Sequence, residues 1–243
     1  MPPTPLEPNH PRSRPITFAH RGARSEQPEN TLPAFRRALE LGAAGLESDA
    51  RLSADGEAVL VHGAVARDGI RRRRRVTQST AAELAELGVP RLRDLYRELG
   101  TDFELSLDLY DVAAAEPVLE VVAAAGAASR LWLCSGRVGT LRRVHELDGH
   151  VHLVHSTKRS ALGSSVERHA DELAQAGIEV CNMRHLEWTA GLVALFHRFD
   201  VRAFAWDVQE VRHVRAMLEL GIDGIYSDHV DRLVATVAEW SET

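Results

Sequence analysis

The sequence predicts an α/β protein, a TIM-type (βα)8 barrel with a short β-hairpin arm after the second strand. Short apolar runs alternate with amphipathic helical patterns along most of the chain. The length of 243 residues suits one large α/β barrel or two small domains. One pair of apolar runs is too closely spaced for a parallel crossover, which predicts the arm. We therefore expect one barrel domain over residues 15–243.

Nine short apolar runs have the composition and length of strands. They are Ile16–Ala19, Gly45–Arg51, Ala58–His62, Phe103–Leu109, Leu131–Cys134, Val151–Val154, Ile178–Asn182, Val201–Trp206 and Gly224–Ser227. Helical patterns lie between several of them, for example at Thr31–Leu41, Thr80–Leu87 and Val211–Leu220. Thr80 and Glu83 have the spacing of a capping box, and Gly42 and Gly221 stand where helices are expected to end.

The link between the second and third runs predicts the arm. It comprises only residues 52–57, including Asp55 and Gly56. A link this short joins antiparallel strands, because a parallel crossover needs about a dozen residues or more. Ala58–His62 should therefore fold back along Gly45–Arg51 and leave eight parallel strands. A doubly wound sheet is the alternative, since periodicity alone does not separate the two closures.

Charge and composition exclude several classes of protein. Basic residues number 29 and acidic residues 35, giving a net charge of −6, which offers no overall attraction to nucleic acid or anionic lipid. No apolar stretch approaches the ~20 residues of a membrane span. Residues 1–14 form a proline-rich segment without the apolar core of a secretory signal, so we expect a disordered leader and a cytoplasmic protein. Cys134 and Cys181 lie in apolar runs and are expected to be core residues without a disulfide.

Polar residues follow the predicted strands at the end where barrel enzymes place their reactive groups. They are His20, Arg21, Glu47, Asp49, Asp108, Tyr110, Ser135, Ser156, Asn182, Trp206 and Asp228. Glu47 and Asp49 are two residues apart, so their side chains leave the same face of one strand. A turn centred on Asp55 and Gly56, or one residue earlier, would pair His62 with Asp49 or Glu47, with Cβ atoms about 4.5–5.5 Å apart.

Such a cluster predicts a bound cation. At close range the carboxylates of Glu47, Asp49 and Asp108 repel one another. This repulsion would raise their pKa values unless a cation lay between them. Oxygen ligands favour a hard divalent ion, Mg²⁺ or Ca²⁺, over zinc.

The order and spacing of further residues resemble one known family. The matching segments are His20-Arg21-Gly22, Pro28-Glu29-Asn30-Thr31, Ala34-Phe35, Gly42-Ala43, Glu47 with Asp49, Asp55-Gly56 and Val61-His62. Looser matches are Glu83-Leu84, Pro90 with Leu92, Trp206, Gly221-Ile222-Asp223-Gly224 and Ser227-Asp228. This pattern resembles the glycerophosphodiester phosphodiesterase family, over most of the chain.

The resemblance implies a TIM-type barrel that hydrolyses glycerophosphodiesters to glycerol 3-phosphate and an alcohol. By matching position, it implies that His20 and His62 form the acid/base pair. Glu47 and Asp49 would hold the metal, and Arg21 would face the substrate phosphate.

The sequence departs from the family pattern at three positions. The resemblance implies that Asp108 would be the third metal ligand in place of a glutamate, and Tyr110 stands where a phosphate-binding lysine is usual. Gly63 replaces the aspartate that usually follows the second histidine. We predict that Tyr110 and Trp206 contact the substrate, the alternatives being that Tyr110 packs at the barrel rim and that Trp206 fills the core.

Two other functions are compatible with the sequence. One is a sphingomyelinase D-like phosphodiesterase that releases a cyclic phosphate. The other is a non-catalytic barrel that binds phosphodiesters, to which Gly63 and Tyr110 point. The nucleophile, water or a hydroxyl of the substrate, stays open.

Other conspicuous residues have simpler interpretations. Arg71–Arg75 could suggest nucleic acid, but no stacking aromatics interleave the arginines, which favours a solvated loop. Asp228 is interpreted as a loop anchor, and Glu29 to Thr31 as a helix N-cap. The expected partner is a small glycerophosphodiester, with no stable membrane insertion; the oligomeric state is not predicted.

Overall fold

In a computed structural model, residues 14–68, 72–163 and 165–242 are described. The strands are β1 (Ile16–His20), β2 (Gly45–Leu52), β3 (Ala58–Leu60), β4 (Val65–Asp68), β5 (Arg72–Arg75), β6 (Glu104–Leu109), β7 (Leu131–Ser135), β8 (His152–Ser156), β9 (Val180–Arg184), β10 (Arg202–Trp206) and β11 (Gly224–Ser227). The helices are α1 (Leu32–Glu40), α2 (Ala81–Ala85), α3 (Leu92–Leu99), α4 (Ala115–Ala125), α5 (Val138–Leu147), α6 (Val166–Gln175), α7 (Ala190–Arg198), α8 (Val211–Leu220) and α9 (Val230–Ser241). The predicted leader, apart from Arg14, lies outside the described residues.

Eight parallel strands close into a barrel, as predicted. The order is β1-β2-β6-β7-β8-β9-β10-β11, and β11 pairs again with β1. Phe18 lies beside Gly45 on one side and Tyr226 on the other. Because β1 has a parallel partner on both edges, the alternative of an open doubly wound sheet is wrong.

Aromatic rings fill the lower part of the barrel interior. Phe18 and Tyr226 stack with centroids 4.7 Å apart, and the ring of Phe204 lies 5.8 Å from that of Phe18. Gly224 makes room for this layer, since a Cβ there would lie 2.7 Å from Cδ1 of Phe204. Because this aromatic layer fills the barrel interior, the polar side chains lie at the C-terminal ends of the strands, where the site is expected.

The predicted hairpin arm is present, with a different register. β3 pairs antiparallel with β2, from Ala50 beside Leu60 to Leu52 beside Ala58. The Val61 amide donates to the Asp49 carbonyl at 2.9 Å, so Val61, and not His62, faces Asp49. The expectation that His62 pairs with Asp49 or Glu47 is therefore wrong by one residue. The turn is centred on one residue, Asp55, instead of on a residue pair.

A second hairpin, β4 with β5, was not predicted. Its strand β5 contains Arg72–Arg75, so the expectation of a loop there is wrong, although Arg73 and Arg75 are solvent-exposed as predicted; Arg71 lies outside the described residues. Arg74 donates from Nη1 to Oε1 of Glu83 at 2.9 Å. Ala66 is buried in a small core cluster with neighbours from β3 and α2. The hairpin carries arginine side chains on its surface, whereas Ala66 packs inward. The polarity of the arginine run alone does not predict that it forms a strand.

Local sequence explains where the helices begin. Thr31 accepts a hydrogen bond from the Ala34 amide at 3.3 Å, so the predicted N-cap is confirmed. The predicted capping box of Thr80 and Glu83 is also present. Within the described ranges, none of the helices combines the length and the apolar character needed to cross a lipid bilayer.

Candidate active site

The C-terminal ends of the barrel strands surround a cavity of about 590 Å³. Its lining combines most of the predicted polar residues with several that were not singled out: His20, Arg21, Glu47, Ser106, Asp108, Cys134, Ser156, Thr157, Lys158, Ala161, Asn182, Trp206 and Tyr226. The location agrees with the general placement of reactive groups in such barrels.

Three carboxylates converge at one side of this cavity. One oxygen from each of Glu47, Asp49 and Asp108 lies within 4.8 Å of the others. Asp49 and Asp108 are register partners on the adjacent strands β2 and β6. Glu47 and Asp49 are buried, so little solvent screens their mutual repulsion.

Burial and repulsion together favour protonation of two of the three acids, Glu47 and Asp108. Burial raises the pKa of Glu47 well above its ordinary value, and the charges of Asp49 and Asp108 raise it further. Burial and the Asp49 charge raise the pKa of Asp108 to about 7. A divalent cation among the three oxygen donors would remove the repulsion, and the donor set fits a hard ion.

Hydrogen bonds fix the Asp49 carboxylate. Its Oδ1 accepts from the Tyr110 hydroxyl at 2.9 Å, and its Oδ2 accepts from Nδ2 of Asn30 at 3.1 Å. Asn30 is held in turn by the Ser48 hydroxyl, which donates to Oδ1 of Asn30 at 2.7 Å. Tyr110, predicted to contact substrate, thus uses its hydroxyl on a cluster carboxylate.

The His20-Arg21-Gly22 turn is shaped by backbone conformation. Arg21 and Gly22 have φ of 57° and 78°, and a Cβ on Gly22 would lie 2.7 Å from the Ala34 carbonyl carbon. The turn therefore packs directly on α1. Its Arg21 amide donates to Oε2 of Glu47 at 3.0 Å, which orients that carboxylate.

The Arg21 side chain lines the cavity but is already paired. Nη1 donates to Glu29 at 3.1 Å, and Nε lies 3.5 Å from Oδ2 of Asp49. Glu29 also pairs with Arg24 at 2.9 Å. Most of the Arg21 charge is balanced inside the protein.

His20 is oriented by a residue whose role the sequence did not reveal. Its Nδ1–H donates to Oδ1 of Asp228 at 2.6 Å, and its Nε2 lies 3.8 Å from Oε2 of Glu47. Burial would raise the pKa of Asp228, but the His20 hydrogen bond and nearby positive charges lower it overall. The interpretation of Asp228 as a loop anchor is therefore incomplete, because its side chain holds the imidazole.

His62 and Trp206 lie on different parts of the rim. His62 is exposed and contacts the Tyr110 ring edgewise, with centroids 6.5 Å apart, and it is not among the cavity-lining residues. Trp206 lines the cavity and is 39% exposed, which places it on the pocket wall. The structure thus brings His20 to the carboxylates directly and His62 only through Tyr110.

A family model described as the glycerophosphoryl diester phosphodiesterase family matches residues 20–232. The chain belongs to this family. A glycerophosphodiester phosphodiesterase of Bacillus altitudinis is 26% identical, over 89% of this chain and 96% of its own. A probable glycerophosphodiester phosphodiesterase 2 of Mycobacterium tuberculosis is 27% identical, over 90% of this chain and 89% of its own.

Solved structures share the fold of this family member. A putative glycerophosphoryl diester phosphodiesterase of Silicibacter pomeroyi superposes with a TM-score of 0.82 at 22% identity, covering 95% of both chains. An Oleispira antarctica phosphodiesterase, solved with the product sn-glycerol-3-phosphate, superposes with a TM-score of 0.77 at 18% identity, covering 92% of this chain and 97% of its own. The predicted family, barrel fold and enzyme class are confirmed.

Proposed function

We propose that this family member hydrolyses glycerophosphodiesters to glycerol 3-phosphate and an alcohol, with a divalent cation, Mg²⁺ or Ca²⁺, held by Glu47, Asp49 and Asp108. One observation carries the proposal: the three carboxylates meet within 4.8 Å at the cavity, beside a histidine already oriented by Asp228. When bound, the cation would supply positive charge to the phosphate oxygens as negative charge grows in the transition state.

His20 is suited to transfer a proton at Nε2. Because Asp228 accepts from Nδ1–H, the neutral imidazole presents a lone pair at Nε2. That atom can accept a proton from the nucleophile or, once protonated, donate one to a leaving alkoxide. We propose His62 as the partner that performs the opposite transfer, and Arg21, Tyr110 and Trp206 as substrate contacts.

The test is release of glycerol 3-phosphate from several glycerophosphodiesters, measured with a coupled assay. We expect activity that disappears on chelation and returns with Mg²⁺ or Ca²⁺. His20→Ala and His62→Ala should each reduce kcat by about 10²-fold or more, the usual contribution of acid/base catalysis, without loss of fold. Full turnover after exhaustive chelation would refute the role of the metal. Full turnover by either variant would refute the catalytic role of the histidine replaced in it.

The curated relatives favour this hydrolase over the two alternatives. Phosphorus NMR of the products distinguishes hydrolysis from release of a cyclic phosphate. A binding barrel would retain glycerophosphodiester without consuming it. Residues 15–243 as one domain and the cytoplasmic location remain predictions.

A further inference from the structure

One residue type is almost absent from the chain, and its single occurrence lines the cavity. Of the 29 basic residues, 28 are arginines and one is a lysine, Lys158. Lys158 follows β8 and precedes a short 3-10 turn, Arg159–Ala161. Lysine differs from arginine in carrying a compact charge with three donors on a flexible stem.

Barrel order places Lys158 across the mouth from the reactive residues. Three strands separate β8 from β1 in either direction around the barrel. His20 ends β1, and the carboxylates come from β2, which neighbours β1, and from β6, which neighbours β2. Lys158 therefore approaches the cavity from the wall opposite His20, so a ligand between the two walls could be contacted from both.

The backbone around Lys158 is fixed, so that only its side chain needs to adjust. The Thr157 amide donates to the Asn182 carbonyl at 2.8 Å, and the Ala161 amide donates to the Lys158 carbonyl at 2.9 Å. These bonds tie the loop to β9 and to its own 3-10 turn. The Lys158 residue is exposed at the cavity mouth.

Pairing distinguishes Lys158 from the other basic residues that line the cavity, Arg21 and His20. Arg21 is paired with Glu29 and lies beside Asp49, and the imidazole of His20 is held by Asp228. Among the residues that the structure describes, Lys158 makes no ion pair or side-chain hydrogen bond. Its charge is thus free to meet an incoming anion.

We propose that Lys158 is a substrate-binding residue whose Nζ donates to the phosphate group of the bound phosphodiester and of its anionic product. This rests on the proposed function, because it deepens the description of the same site. Three carboxylates outweigh the charge of one divalent ion, so a phosphate anion needs a further cation that is not already neutralised. Lys158 supplies it.

The single lysine permits a binding test that does not depend on turnover. In the 243-residue chain, expressed without a lysine-containing tag, the only primary amines that an acetylating reagent can modify are the Lys158 side chain and the α-amino group. Peptide mass spectrometry would follow both rates. We expect glycerol 3-phosphate to slow acetylation of Lys158 several-fold and to leave the α-amino group unaffected, whereas uncharged glycerol should protect neither.

Kinetic variants give the second readout. Lys158→Met keeps the length and removes the charge; it should raise KM for glycerophosphodiesters and Ki for glycerol 3-phosphate by about ten- to a hundredfold, the usual range for a charged hydrogen bond. Its kcat should change less. Lys158→Arg should retain most of the affinity. Arg159→Met, which removes the neighbouring charge, is the matched control and should behave as the unmodified protein.

Two results would overturn the proposal: unprotected Lys158 at concentrations of glycerol 3-phosphate that inhibit the enzyme, or Lys158→Met with unchanged KM and Ki. Failure of the proposed function would look different. Protection of Lys158 without any hydrolysis would refute the proposed hydrolase activity and support the contact of Lys158 with phosphate. Hydrolysis without protection of Lys158 would support the hydrolase activity and refute that contact.

Discussion

At the scale of single residues, the His20–Asp228 pair joins the first and last strands of the barrel. The two residues are 208 positions apart in sequence, and their side chains meet at 2.6 Å. The Asp228 amide donates to Oε1 of Gln209 at 2.9 Å, which anchors the backbone beside the carboxylate. Asp228 is therefore a positioning residue for the imidazole.

Asp228→Asn should lower kcat by about 10²-fold, the lower end of the effect of acid/base catalysis, because the amide no longer holds Nδ1–H with a negative charge. KM should change little, since Asp228 acts through His20. Steady-state kinetics separate the two constants. The matched control is Asp231→Asn, an exposed acid on α9, which should leave both unchanged. Equal losses in the two variants would argue against the positioning role.

Tyr110 offers a second test at this scale. Tyr110→Phe keeps the ring and removes the hydroxyl that donates to Asp49. We expect about tenfold weaker activation by the divalent cation, as is typical for loss of a partner that orients a metal ligand. The measurement is glycerol 3-phosphate release as a function of cation concentration. An unchanged activation midpoint would show that the Tyr110 hydroxyl is not needed to orient Asp49 for cation binding.

At the scale of elements, the β1–α1 turn depends on a glycine. Gly22→Ala would put a Cβ at a φ of 78° and 2.7 Å from the Ala34 backbone. We expect the free energy of unfolding to fall by about 1–3 kcal/mol. Urea titration measures it. Gly139→Ala on α5, where an added Cβ meets no atom within 4 Å, is the control and should be neutral or slightly stabilising. Equal stability of the two variants would show that the turn does not require a glycine at position 22.

The packing of α6 on β8 makes stability depend on pH. Burial, and secondly His169, lower the pKa of His155 from 6.5 to about 4. Between these values the unfolded chain binds a proton that the folded protein does not, so stability should fall as pH decreases from about 6.5 to 4.

The contribution of His155 to this loss should be up to about 3 kcal/mol. Urea titrations across this range, compared with His155→Gln, measure it. The variant should lose less stability on acidification than the unmodified protein. Parallel pH curves for the two would show that His155 does not titrate in this way.

At the scale of the whole molecule, local patterns predicted the barrel but not every meeting of its strands. The alternation of apolar runs with helical patterns, together with the short link that indicated the hairpin arm, was sufficient to predict eight parallel strands. The spacing of Glu47 and Asp49 was sufficient to place both on one face. The partnership of His20 with Asp228 depends on closure of the barrel, which no local pattern encodes.

The remaining differences have equally specific causes. His62 was misplaced by one position because the turn is centred on one residue, and strand pairing reverses faces with each such slip. The paired state of Arg21 depends on Glu29 and Asp49, which only the folded turn brings together. Lys158 could have been noticed as the single lysine, but its place on the cavity wall required the structure.

The proposed chemistry requires Glu47, Asp49 and Asp108 together to bind one divalent cation. Isothermal titration calorimetry of the metal-free protein with Mg²⁺ and Ca²⁺ tests it most directly, with Asp108→Asn as the altered site and Asp111→Asn, an exposed acid just after β6, as the matched control. We predict one bound cation per chain in the unmodified protein and in Asp111→Asn, and at least about tenfold weaker binding in Asp108→Asn. No binding to the unmodified protein, or equal binding by both variants, would rule out this cation site.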